Sequence, residues 1–305
     1  MPATAERLAA ALADLPVVIE HVACASGAVG LASYAGERPT SVVTLAGAGR
    51  IGEGEHVGFT DDAHAAFGRT LDRWDLGGSW RIAALVHALR ERGLDRYDRA
   101  AIEMAAIELA LRQRSTTLAT LAGVVPSPVE VVISFGRVAD PVAEAGRHPG
   151  ANLKIDVDPA WPDTVWQGLG ALGRIAILDW KGAGDAAAYA RALAWLPEVI
   201  HEDPAEPYPA EIAERVSLDA SVTEPAALDR VAPFACNVKP ARMGSVLDAV
   251  RTASRCERRG IEVYFGGMFE VGVGRRQLRD LASILCPDAP NDLAPIPLAE
   301  AATTA

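Results

Sequence analysis

Three acidic residues close three successive apolar runs in the second half of this 305-residue chain. Asp179 ends RIAILDW, Glu202 falls within EVIHEDP and Asp219 within RVSLDAS. One acidic residue after an apolar run is more often a helix cap than a ligand. Three on neighbouring strand ends are a different matter, because they offer the hard oxygen donors that Mg²⁺ takes while open positions remain. Without a cation the three would repel, and one would be held protonated. Charge recurs at other run ends: Lys154 and Asp156 in NLKIDVD, Lys239 in FACNVKP, and Glu270 just after IEVYFGGM. At a period of two, Lys154, Asp156 and Asp158 share one face of NLKIDVD, and that face must meet water, a ligand or a metal.

The elements that would position these residues follow from the rhythm of the chain. VEVVISFG, NLKIDVD, RIAILDW, EVIHEDP, RVSLDAS, FACNVKP, IEVYFGGM and, more faintly, LASILCPD alternate with helix-like sequence. Such alternation reads as parallel strands joined by helices, and seven or eight units suggest a (β/α) barrel whose strand ends converge on one mouth. Pro141, Gly146, Pro149 and Gly150 shorten some of the helices. The rival is a doubly wound sheet, but no Gly-x-Gly-x-x-Gly opens one. Upstream, residues 17–60 read as strands ending in a polar, glycine-rich loop, RIGEGEHVGF, and 61–122 as helical, with an amphipathic helix stopped by Gly123. The expected division is an α+β domain over 1–122, a barrel over 123–295 and a tail over 296–305 that packs back on the first domain.

Composition narrows the function. The net charge is −11 and Lys and Arg form no block, which argues against nucleic acid or an anionic membrane as partner. The N-terminus lacks the layout of a signal peptide, and no run of eighteen apolar residues occurs. Cys24, Cys236, Cys256 and Cys286 form no Cys-x-x-Cys pair and read as reduced thiols of a cytoplasmic protein.

The order and spacing of these motifs resemble the enolase superfamily, specifically its muconate lactonising subgroup, over nearly the whole chain. TSVVTLAGAGRIGEGE and AAIEMAAIELAL resemble parts of that family's capping domain. AILDW, IHEDP and SLDAS resemble its three metal-ligand segments, NVKPARMGS its sixth-strand lysine segment and YFGGMFEVGVGR its seventh-strand motif. The resemblance implies a modified enolase-type (β/α) barrel with an N-terminal α+β capping domain. It also implies Mg²⁺ held by Asp179, Glu202 and Asp219, and a lysine that removes the proton α to a metal-bound substrate carboxylate. Lys239 matches the sixth-strand lysine and Lys154 the first lysine of the second-strand Lys-x-Lys. Asp156 stands at the usual base-lysine position, Lys181 replaces the Asn of Asp-x-Asn, and Ala220 follows Asp219 where many relatives have Glu. Gly266, Gly267, Met268 and Glu270 are the expected substrate-binding residues, the glycines letting a carboxylate approach backbone N–H groups.

The expected activity is a Mg²⁺-dependent lyase resembling o-succinylbenzoate synthase of menaquinone synthesis, acting on a small carboxylic acid. The alternatives are a cycloisomerase using Lys239 alone, or a depleted relative that binds without turnover. A racemase or epimerase ranks lower, since it needs a base on each face of the substrate. Asp156 is expected inside the mouth, paired with Lys154, Lys181 or Lys239, and a homo-oligomer is left open.

Overall fold

The structure is a computed structural model and describes residues 3–31 and 37–293. The expected tail, 296–305, lies outside the described residues. The first half comprises α1 (Thr4–Asp14), β1 (Pro16–Ile19), β2 (His21–Gly30), β3 (Glu37–Gly47), β4 (Arg50–His56), α2 (Asp61–Asp72), β5 (Gly78–Arg81), α3 (Ile82–Glu91), α4 (Arg96–Gln113) and α5 (Leu118–Ala122). Strands β2–β4 form an antiparallel sheet against α4, and β1 pairs with β5.

The helix expected to run to Gly123 ends at Gln113, and the separate α5 is the one that Gly123 stops. Two other expectations also change. RIGEGEH is strand β4 rather than a loop, and SWR at 79–81 interrupts the expected helical stretch as β5. The glycines of β4 explain the first difference. A Cβ on Gly52 would stand 2.2 Å from the Leu109 backbone nitrogen, and one on Gly54 would stand 2.0 Å from the Ala101 carbonyl oxygen. They are bare so that the strand can lie against α4, which is a packing role and not a turn.

The second half carries seven parallel strands in sequential order: β6 (Val132–Phe135), β7 (Asn152–Asp156), β8 (Ile175–Asp179), β9 (Ile200–Glu202), β10 (Val216–Leu218), β11 (Ala235–Val238) and β12 (Glu262–Phe265). Helices α6 (Pro141–Gly146), α7 (Asp163–Leu172), α8 (Ala186–Trp195), α9 (Ala210–Ala213), α10 (Pro240–Met243), α11 (Val246–Arg259) and α12 (Val273–Leu285) intervene, with a 3₁₀ turn at Pro225–Leu228. The expected eighth strand, LASILCPD, is instead the end of α12 and the turn after it. Two later residues take its place: Asn291 bridges Val131 beside β6 and Asp292 bridges Gly266 beside β12. The Asn291 side chain fixes this seam, accepting from Phe265 N at 2.8 Å and donating to Glu130 O at 3.1 Å.

Alternation along the strands sorts the side chains into two layers. Leu153, Ile155 and Val157 pack outward with Trp166 and Leu169 of α7 and with Trp180, just past β8. Inward, Ile177, Ala235 and Tyr264 form a small apolar floor, above which the polar mouth opens.

Candidate functional site

Strand register assembles the site. It sets Asp156 beside Asp179, and Asp179 beside Glu202, a lateral step of about 5 Å for neighbouring strands. Asp219 follows β10, positioned by Asp203, whose carboxylate accepts the backbone N–H groups of Asp219 and Ala220 at 2.9 and 2.8 Å. The result is a compact triad: Asp179, Glu202 and Asp219 each offer an oxygen within 4.8 Å of the others, and all three are buried.

Every carboxylate of the triad touches a cation of the chain. Buried Lys154 contacts Glu202 and lies 3.2 Å from Asp179 and 2.8 Å from Asp292. Lys181 pairs with Asp179 and lies 3.4 Å from Asp156. Asp219 takes Lys239 at 2.9 Å and the Arg242 guanidinium on its other oxygen. Asn237 at 3.1 Å and the Tyr264 hydroxyl both donate to Glu202.

The electrostatics follow from this packing. Burial, with the neighbouring Glu202 charge, pushes the Asp179 carboxyl up to about 7. Burial also opposes ionising Glu202, but the Lys154 and Lys239 ammoniums outweigh it and hold that carboxyl well below the usual range. Lys154 is likewise opposed by burial, yet Asp292, Glu202 and Asp179 raise its pKa well above that of a free lysine. A divalent ion fits the donor set: three hard oxygens converge, and the like-charge conflict that raises Asp179 is one that a dication relieves.

The remaining sequence candidates fall as follows. Asp156 shares the inward face of β7 with Lys154, is partly exposed, and meets Lys181. Gly266 N donates to Val238 O, Gly267 N to Asp292 O and Met268 N to Glu270, at 3.1, 2.8 and 2.6 Å. These three N–H groups therefore already have acceptors in the protein and hold the seam and the following loop, so a substrate carboxylate finds no unengaged donor among them. Gly266 has a second use, since a Cβ there would stand 2.6 Å from Lys239 Cε. Glu270 is buried with its carboxyl turned onto that loop. His201, on the outer face of β9, accepts the Trp180 indole N–H at 3.1 Å, and burial lowers its pKa to about 4.

Several participants escape a reading of motifs: Asp292, Tyr264, Asn237, Arg242, and Arg38. The last lies buried under Phe59 and Phe269, joining the loop after β4 to the loop after β12. For Lys181 a signal did exist. The chain has only three lysines among its 29 basic residues, Lys154, Lys181 and Lys239, and the fold brings all three to this one mouth. The other 26 are arginines, of which Arg242 also reaches the mouth. Lysine persists where a compact cation that can also lose its proton is useful, which arginine cannot replace.

Known proteins bear on this geometry. Over 213 residues the chain is 29% identical to an N-succinylamino acid racemase of Amycolatopsis, covering 62% of this chain and 58% of that protein. A Thermus thermophilus protein of the same name is 29% identical over 221 residues, covering 64% of this chain and 59% of that protein. The chain thus matches under three fifths of the length of these curated relatives. Among solved structures, a dipeptide epimerase from Methylococcus capsulatus complexed with Mg ion superposes with a TM-score of 0.77 at 22% identity, covering 90% of each chain. With the N-terminal domain of the family described as "Domain of unknown function (DUF8230)" matched over residues 10–121 and its C-terminal domain over 125–299, the chain belongs to that family and carries the enolase-superfamily fold.

Proposed function

We propose that this chain moves a proton on and off the carbon α to a substrate carboxylate, as a racemase or epimerase of N-acylated amino acids. The observation that carries the reading is the convergence of all three lysines on the mouth, with Lys181 beside Asp156. The ammonium missing from position 156 has in effect moved one strand over, from the end of β7 to just past the end of β8, and Asp156 accepts it. Lys239 lies past the end of β11, three strands further round. One lysine therefore stands on each side of the carboxylate triad, as a reaction requiring a base on one face and an acid on the other demands. The names of the relatives agree with this class, since succinylamino acids and dipeptides share an acylated amine beside the α-carbon.

Asp179, Glu202 and Asp219 would hold a divalent ion, and its charge makes the α-proton of a bound carboxylate more acidic. Lys154, locked among Asp179, Glu202 and Asp292, is a fixed positive charge and not a mobile proton carrier. Burial opposes the charge on Lys181, but Asp179 and Asp156 outweigh it and raise its pKa. One of Lys181 and Lys239 would take the α-proton and the other return one on the opposite face, the two roles exchanging with the hand of the substrate. A one-lysine reaction at Lys239, a lyase or a cycloisomerase, is the second reading, because position 156 carries an aspartate where a lysine base would stand.

Exchange of the α-hydrogen in D₂O, followed by mass on both enantiomers of a panel of N-succinylamino acids and on dipeptides, separates the two. Lys181→Met should suppress exchange from one enantiomer and Lys239→Met from the other, each by about 10²–10⁴, the worth of a positioned acid or base. Exchange of both enantiomers within about threefold of wild type in Lys181→Met would remove the two-lysine reading. Loss of water from a β-hydroxy carboxylic acid added to the panel, with no exchange on the N-acylated amino acids, would establish the lyase.

A further inference from the structure

Away from the mouth, a cavity of about 600 Å³ opens where the N-terminal domain meets the barrel. Its walls come from α3, α4, the 3₁₀ turn Pro225–Leu228, α10 and α11, and they carry five arginines: Arg90, Arg99, Arg251, Arg255 and Arg258. Arg251, Arg255 and Arg258 recur at four and three residues along α11, so they share one helix face.

The carboxylates in the walls do not balance these cations. Asp248 takes both Arg90 and Arg251, the latter at 3.2 Å, and Asp229 takes Arg255 at 2.7 Å. Arg258 donates to the Ser254 hydroxyl at 2.7 Å and Arg99 to the Leu94 carbonyl, both neutral acceptors. Arg99 Nε is in addition buried with no hydrogen-bond partner among the described residues. Burial and the nearby Arg90 charge lower the Arg99 pKa, against the opposing pull of Asp95, Glu103 and Asp248. With Glu224 the walls hold three carboxylates against five guanidiniums, in a chain whose net charge is −11. Such a local reversal of sign inside a concavity concentrates anions there. Guanidinium forks bind phosphoryl oxygens two at a time, which a lysine cannot do.

We infer that this cavity is a binding site for a phosphoryl-bearing small anion, with a diphosphate group as the best match to its charge and to its paired guanidinium forks. The inference is independent of the reaction proposed above. An anion held there bridges arginines of the two domains. It also lies against two segments that continue into the mouth, since Met243 follows Arg242 and Thr223 lies four residues beyond Asp219.

The test is calorimetric titration of the full chain with inorganic pyrophosphate and with orthophosphate, at constant ionic strength in chloride, alongside thermal denaturation. Saturable binding near one site per chain, tighter for pyrophosphate and accompanied by a raised Tm, is expected. Arg251→Gln/Arg258→Gln should weaken it at least tenfold. Thr223→Glu, which adds a negative charge to the wall without touching α11, should do the same, and Arg147→Gln, just past α6, should not. Absence of saturable binding overturns the inference. So does unchanged affinity in both pocket variants, which would place the anion elsewhere, for instance among the lysines of the mouth.

Discussion

Glu103 on α4 is buried completely, and its carboxylate accepts the Leu247 backbone N–H at 2.7 Å, at the start of α11. It is a polar latch between the N-terminal domain and the barrel. The other carboxyl oxygen has no hydrogen-bond partner among the described residues. Burial dominates over the hydrogen bonds from Leu247 and Ser245 and raises the pKa to about 7, from 4.5. The folded protein thus binds this proton more tightly than the unfolded chain does. Its contribution to stability is complete below pH about 4.5 and is lost as pH rises to about 7. At about 1.4 kcal/mol per pKa unit the span is about 3 kcal/mol. Glu103→Gln keeps the shape and removes the titration. The assay is urea denaturation of both proteins between pH 5 and pH 8. Taking the difference at each pH cancels the other titrating groups, including Glu270, whose carboxyl burial also raises to about 7. Relative to the variant, the wild type should gain about 2–3 kcal/mol on going from pH 8 to pH 5. Parallel curves would refute the reasoning, because they would mean that the α11 N-terminus stabilises the ionised carboxylate enough to cancel its burial.

Two further outcomes are expected from the same physics. Lys154→Met leaves Asp179, Glu202 and Asp292 without their shared ammonium, so stability in chelator should fall by about 3–5 kcal/mol. Added Mg²⁺ should restore part of that loss and raise the variant's Tm more than the wild type's; equal effects on both would separate Lys154 from any cation held by the three acids. Gly52→Ala forces a Cβ against the α4 backbone and should cost about 1–3 kcal/mol or more in urea denaturation. Gly27→Ala, with open space around it, should change stability little.

The repeating strand–helix units, the inward face of NLKIDVD and the three acids that converge in the mouth were all legible in the chain alone. All of these rest on short periodicities and on charges that repeat at strand ends. The sequence also made the departure at Asp156 visible, and with it the question of where the missing cation had gone. Tertiary structure decided the rest, because those answers depend on residues far apart in the chain. The partner of Asp156 is Lys181, one strand away, a choice that side-chain reach settles among three candidates. The closing bridge is the two residues Asn291 and Asp292, too short to carry any periodic signal, while the apolar LASIL before them fits a helix as well as a strand. RIGEGEH looked like a loop because glycine usually marks one, and only the nearness of α4 shows why these glycines lie within a strand. The arginine cavity has no local signature at all, since its five guanidiniums come from three helices in two domains and meet only once those domains have packed.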